Sequence, residues 1–433
     1  MNKKIITPII ILVLLVVIAG GILLYLNLRT LPIDQIDMKP SIVWVDKDDP
    51  CHMKLMVEKY NIRRGKYEKP TDYFIKGVVY QVTQIGQAPP WYESWLTIAA
   101  DPAHRARVDE DKNGVLTEEE KEVGDFQLMK DMGVNTIRIY DPIGLNSSPD
   151  PFVITADEIQ GAKDLLRELY RDYGIMVIMG HSLGYSLDYS DPDVRWELYD
   201  EAISMVQSYK DEPWVLMWNL GNENNIQQGC TSRDFAHDYY METVEKIASK
   251  IKEIDPNHPI SISNSGLAGV FDFNKYCKSV DIYGANMYQS HNFSGLWNTA
   301  ARINRPAYLT EFGCDVLDSR QDPRVPNEEL QATFVAQQWE DIEANHAGGA
   351  GTSLGGVYFE WLDEWWKTPY DNSTIHTYKG GWDAPTFDSG TRESGNEEWW
   401  GICGQNEDGI YSPNYRYLRQ IYFKLKDLWT AKK

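Results

Sequence analysis

Short, unbroken apolar runs alternate along this chain with longer stretches in which apolar positions recur every three or four residues. An unbroken run reads as a strand buried on both faces, and the wider spacing reads as a helix with one buried stripe. Strand and helix signals taking turns predict parallel strands joined by helical crossovers. The runs are Tyr73 to Tyr80, Val134 to Tyr140, Ile175 to Met179, Trp214 to Leu220, Pro259 to Ser263, Val280 to Met287, Ala307 to Phe312 and Gly355 to Trp361. Helical stretches end at Met132-Gly133, start near Thr155, and run from Asp193 to Lys210 and from Asp234 to Ile254; a closing helix covers Tyr415 to Trp429. This is the complement of a closed (β/α)8 barrel. An open doubly wound sheet would want a glycine-rich phosphate turn after its first strand, and the sequence has none.

The predicted fold class is therefore α/β, a single (β/α)8 barrel over residues 70–433, after a lead-in of residues 30–69 containing a strand at Ser41 to Val45. Two insertions fall on the side where barrel strands end: Gln87 to Glu120, with an acidic core over 101–122, and residues 363–411 after the eighth strand. At the start, Lys3 and Lys4 precede an apolar run from Ile5 to Leu26, long enough at helical rise to cross a hydrocarbon core of roughly 30 Å. The run exceeds the apolar region of about 7–15 residues in a cleaved signal peptide, and Ala19-Gly20-Gly21 lies inside it. Residues 1–29 thus read as an uncleaved signal-anchor, a transmembrane helix with its lysines in the cytoplasm and the barrel outside the cell. The lipid bilayer is then a partner; cleavage to a secreted form is the alternative. Sequons at Asn146, Asn292 and Asn372 are compatible with either.

Composition narrows the function classes. With 42 basic against 64 acidic residues, net −22, the chain lacks the basic patches that nucleic acid requires. Fifteen Trp and 26 Tyr supply packing and, at some positions, platforms for sugar rings. Five cysteines without a CxxC leave room for one or two disulfides and at least one thiol. The eight histidines are scattered and contain no HExxH, so no catalytic metal set is visible.

The chemistry gathers at strand ends. Trp214-Val215-Leu216-Met217-Trp218-Asn219-Leu220-Gly221-Asn222-Glu223 climbs through apolar residues and delivers an amide and a carboxylate at its tip, and Glu311 ends the seventh strand. Barrel enzymes keep their reacting groups there. Two carboxyls, one an acid and base and one a nucleophile, are the equipment for cleaving a glycosidic bond with retention. Glu223 is the candidate acid/base and Glu311 the candidate nucleophile, with Asn222 beside the acid to bond a sugar 2-hydroxyl. Arg138, inside the second strand, is the cation expected to keep Glu311 ionised; a buried structural ion pair is its other reading. His181 follows the third strand, as a substrate-hydroxyl contact or a satisfied structural histidine. In the eighth strand Trp361 and Phe359 share a face by alternation, and Trp361 is the favoured subsite floor. Cys314 lines the site or, more simply, packs.

Trp218-Asn219-Leu220-Gly221-Asn222-Glu223 together with Tyr308-Leu309-Thr310-Glu311-Phe312-Gly313, in that order and about 90 residues apart, resembles the paired signature of the retaining barrel glycosidases of glycoside hydrolase clan A. The resemblance covers the chain from Tyr73 to Trp429. It implies a retaining β-glycosidase with the roles above and makes Tyr288, in Asn286-Met287-Tyr288, the strand-six tyrosine that hydrogen-bonds the nucleophile. Phe74 to Gln81 and Gly133 to Tyr140 resemble the β-1,3-glucanosyltransferases of family 72. Gly355-Gly356-Val357-Tyr358-Phe359-Glu360-Trp361 resembles the last strand of the family 2 barrels. Thr310-Glu311-Phe312-Gly313 departs from the Ser-Glu-Tyr-Gly usual in family 72, and residues 30–69 are too short for the β-sandwiches of family 2. The expected substrate is an extracellular β-glucan or related polysaccharide, cleaved by hydrolysis or remodelled by transglycosylation. A carbohydrate-binding barrel without turnover is the reading from another class.

A second motif sits in the first insertion. Asp109-Glu110-Asp111-Lys112-Asn113-Gly114-Val115-Leu116-Thr117-Glu118-Glu119-Glu120 fits the EF-hand loop at every position. Asp109, Asp111, Asn113, the Val115 carbonyl and Glu120 supply the hard oxygens calcium takes, and Gly114 the sharp turn. A lone loop predicts a structural Ca2+; an acidic loop opening the next helix is the alternative.

Overall fold

The computed structural model describes residues 39–49, 52–61, 64–82, 85, 105–108, 117, 120, 122–141, 156–184, 187–227, 235–288, 291–318, 321, 323–346, 350–367, 376, 397–405 and 415–431. The chain divides into two units, Met1–Lys39 and Pro40–Lys433, and the description that follows is of the second. The predicted signal-anchor lies outside the described residues. Among those residues no helix is long and apolar enough to cross a membrane.

Eight parallel strands close into a barrel. They are β1 (Ile75–Val79), β2 (Thr136–Ile139), β3 (Met176–His181), β4 (Val215–Leu220), β5 (Ile260–Ser265), β6 (Ile282–Asn286), β7 (Ala307–Phe312) and β8 (Ser353–Tyr358). Every residue of β2, β3, β4, β6, β7 and β8 is buried, which is why each reads as an apolar run without alternation. Inside the ring, Ile75, Met176, Ile178, Leu216, Met217, Ile282, Tyr308 and Val357 pack together; a larger apolar layer joins the outer strand faces to the helices. The seam between β8 and β1 is tight. A Cβ on Gly355, at φ +107°, would stand 2.2 Å from the Ile75 carbonyl oxygen, so only glycine lets the ring close there.

The lead-in is a sheet of its own. Strands Ile42–Asp46, Lys54–Glu58 and Thr71–Asp72 pair antiparallel, and Val43, Leu55, Val57 and Tyr73 join the apolar cluster inside the barrel. The sheet therefore floors the barrel at the end where its strands begin.

The two insertions meet. Arg105–Val108, from the first, pairs with Glu122–Gly124 on one side and with Tyr415–Leu418 on the other, which pairs in turn with Cys403–Gly404 of the second. Tyr415 to Leu418, expected as helix, is thus a strand, and the closing helix is Gln420–Thr430. Two buried ion pairs fasten this region: Arg416 to Asp125 at 3.1 and 3.0 Å, and Arg419 to Asp363 at 2.7 and 2.6 Å. Removing one partner of such a pair leaves a buried charge unmatched. Arg419→Met is expected to lower unfolding free energy by about 3–5 kcal/mol. Arg419→Met with Asp363→Leu should recover part of that loss, which thermal unfolding of both variants checks.

Of the calcium motif, Asp109, Asp111, Asn113 and Val115 lie outside the described residues. Glu120 is described, and its Oε2 accepts the Thr117 N–H at 2.6 Å and the Thr117 hydroxyl at 3.2 Å, a local turn that precedes the strand Glu122–Gly124. Cys277, Cys314 and Cys403 are buried free thiols, and burial holds the Cys314 thiol well above its usual range. Cys51 and Cys230 lie outside the described residues.

Candidate active site

The site is built where β4 runs out. Gly221 adopts φ +77° and Glu223 φ +57°, a left-handed geometry that a non-glycine residue holds only when its surroundings enforce it. They do so here with bonds to both neighbouring strands. Gly221 N–H donates to the His181 carbonyl at 2.7 Å and Glu223 N–H to the Ser263 carbonyl at 2.9 Å. Asn222 N–H donates to Asn224 Oδ1 at 2.8 Å, and a Cβ on Gly221 would fall 2.7 Å from both Asn224 Oδ1 and the Tyr240 hydroxyl. The chain must turn sharply, and the turn presents Asn222 and Glu223 at the mouth.

Arg138 joins the two carboxylate-bearing strands. Fully buried in β2, its Nη1 donates to Glu311 Oε1 at 2.7 Å and its Nη2 to Asn222 Oδ1 at 2.8 Å and Ser263 Oγ at 3.1 Å. A guanidinium has only donors, so the Asn222 oxygen must face it. The Asn222 amide NH2 is thereby turned away from the arginine, and it has no hydrogen-bond partner among the described residues. Asn286 Nδ2 donates to the same oxygen at 3.3 Å, reinforcing the orientation.

Glu311, 5% exposed, is ringed by donors. Tyr140 Oη donates to Oε1 at 2.6 Å, and Tyr288 Oη donates to Oε2. Burial first, then the Glu311 charge, pushes both phenols well above their usual range, so both remain protonated donors. The Glu223 charge also acts on the Tyr288 phenol.

Arg138, Asn222, Tyr288 and Glu311 are therefore joined by direct bonds, with Glu223 one residue from Asn222. Two predicted residues are not part of this group. His181 accepts Leu183 N–H at Nδ1, 3.1 Å away, and its Nε2 faces Glu201 at 3.4 Å. Trp361 lies beyond β8, which ends at Tyr358, so alternation no longer relates it to Phe359. Its fully buried ring packs in the layer outside the barrel. The aromatics around Tyr288 are Phe359, with centroids 6.3 Å apart, and Trp400, at 4.6 Å. Tyr140 went unrecognised in the sequence although its signal was there: it stands two residues after Arg138 and so shares its inward face. Trp400, on the second insertion, carried no such signal.

Residues 167–360 match the family described as glycosyl hydrolases family 2, TIM barrel domain. The chain is 30% identical over 127 residues to mannan endo-1,4-beta-mannosidase F of Aspergillus clavatus, which covers 28% of this chain and 27% of that protein. It is 26% identical over 252 residues to a beta-glucuronidase of Paenibacillus borealis, covering 53% of this chain and 38% of the relative. A GH2 beta-galacturonidase from Eisenbergiella tayi superposes with a TM-score of 0.51 at 16% identity, covering 91% of this chain and 55% of that one. The chain thus spans well under half the length of these two curated relatives. Closed barrel, strand-end glutamates and these likenesses together make the chain similar to the (β/α)8 glycoside hydrolases of clan A, its residues 167–360 to the barrel domain of family 2.

Proposed function

We propose that the protein is a retaining β-glycosidase that cleaves an extracellular, uncharged β-linked polysaccharide, a β-glucan before others, by double displacement. The observation that carries this reading is the Arg138 guanidinium bonded at once to Glu311 and Asn222. It supports a nucleophile and a 2-hydroxyl partner that act on one sugar, with Glu223 beside them as acid and then base. Glu311 attacks the anomeric carbon while Glu223 protonates the departing oxygen. Water, deprotonated by Glu223, then releases the sugar with its original configuration. The net charge of −22 opposes approach of polyuronates, which favours a neutral glycan. Residues 1–29 serve in this proposal as a membrane anchor holding the barrel outside the cell. The loop with Asp109, Asp111, Asn113 and Val115 holds a structural Ca2+, for which Glu120 exchanges its Thr117 bonds.

A panel of aryl β-glucosides, β-mannosides and β-glucuronides, with β-glucans and β-mannans, tests the substrate class. Turnover is expected on neutral β-glycosides, and a matching 2-deoxy-2-fluoro sugar should label Glu311. A label on another residue, or turnover confined to uronides, would overturn the reading. Products longer than the starting oligomer would identify transglycosylation as the second step.

A further inference from the structure

At the opposite end of the barrel from the glutamates, three side chains from three separate segments converge. His52 precedes strand Lys54–Glu58, Asp72 ends strand Thr71–Asp72, and His346 lies just beyond helix Glu328–Ala344 and ahead of β8. His346 Nε2 stands 3.2 Å from Asp72 Oδ2 and His52 Nε2 3.8 Å from the same oxygen. All three ligand atoms lie within 4.8 Å of one another. Ligands about 2.0–2.1 Å from a tetrahedral ion sit about 3.3 Å apart, so the spacing is close to that of one coordination shell.

The hydrogen bonds sharpen the case. His346 Nδ1 lies 2.8 Å from the Ser353 carbonyl, which can only accept, so Nδ1 carries the proton. Nε2 is then the nitrogen aimed at the Asp72 carboxylate, the position from which an imidazole and a carboxylate share one cation. A backbone carbonyl fixing the far nitrogen is also the usual support of a metal-bound imidazole. His52 Nε2 is buried and makes no hydrogen bond. The His346 ring is held between Phe74, at 4.4 Å, and His52, at 4.9 Å.

We propose that His52, Asp72 and His346 bind a divalent transition-metal ion, zinc or a similar first-row ion, that clasps the floor sheet to the barrel. Two imidazoles and a carboxylate suit such an ion. The side chains are partly exposed, at 20, 33 and 16% in that order, so a water can complete the shell and the ion can enter. Two of the ligands belong to the sheet and one to the barrel wall, so binding adds to the stability of the folded state.

The test uses the full chain in detergent, stripped with a zinc-selective chelator in excess calcium. Titration with Zn2+ is followed by calorimetry, and titration with Co2+ by visible absorption. The expected result is one equivalent bound at micromolar affinity or tighter, a Co2+ spectrum of four- or five-coordination, and a higher melting temperature with Zn2+. His52→Ala and His346→Ala should each weaken binding by about 100-fold or more and remove the melting shift, while exposed His291→Ala leaves both intact. Circular dichroism of the metal-free variants checks folding, and Asp72→Asn is the substitute where one fails. No saturable binding to the wild-type chain, pointing to an imidazolium at His346, would overturn the proposal. So would binding that survives loss of either histidine.

Discussion

Glu311→Ala is expected to lower turnover of every β-glycoside the wild type cleaves by on the order of 10⁴-fold or more, the scale seen when a covalent nucleophile is lost. The fold should hold, because the deleted carboxylate leaves Tyr140, Tyr288 and Arg138 facing a small space that water can enter. That space admits azide, which can attack the anomeric carbon directly. One displacement inverts configuration, so azide should restore turnover and yield an α-glycosyl azide. Glu223→Ala must behave differently. It keeps the nucleophile, so substrates with good leaving groups such as dinitrophenolate still form the glycosyl-enzyme. Azide then attacks that intermediate from the face Glu223 vacates and gives a β-glycosyl azide. Product stereochemistry, read by NMR, therefore assigns the two glutamates separately. An α-azide from the Glu223 variant, or full turnover by Glu311→Ala without azide, would remove the assignment.

The sequence was informative where burial alone decides structure. Strands enclosed on both faces are dominated by apolar residues, so all eight could be found, and Ala307–Phe312 agrees to the residue. It was informative again where a polar residue interrupts such a run: Arg138 inside Thr136–Ile139 is intolerable without partners, and its partners are the site. Position relative to neighbours was less legible. His181 ends a barrel strand just as Glu223 follows one, and only coordinates show that its ring faces Glu201. Trp361 was placed by extending β8 three residues too far, past Tyr358, beyond which the strand's alternation lapses. Tyr415–Leu418 carries apolar spacing compatible with either helix or strand, and pairing with Arg105–Val108 from a distant insertion decided it. Contacts between segments so far apart in sequence leave no local period to read.

Arg138→Lys separates the two tasks that Arg138 performs. Lysine keeps a positive charge that can reach Glu311, but a single ammonium cannot hold the planar fork that now spans Glu311 and Asn222. Asn222 then keeps only the weaker donors Ser263 and Asn286, each at 3.3 Å, and its amide is free to rotate. A loss of about 10²–10³-fold in kcat/KM is expected, the size associated with one misplaced transition-state hydrogen bond. If the loss comes through Asn222, it must depend on the sugar hydroxyl that Asn222 binds. The wild type should discriminate strongly against a 2-deoxy glycoside, whereas Arg138→Lys should discriminate much less, because its intact substrate has already lost that contact. A purely structural arginine would slow both substrates alike. Arg138→Met makes the complementary measurement: without any donor both the Glu311 and the Asn222 contacts are lost, so kcat/KM on the intact glycoside should fall further than in Arg138→Lys. An unchanged 2-deoxy ratio in Arg138→Lys, with no further loss in Arg138→Met, would reduce Arg138 to a packing residue.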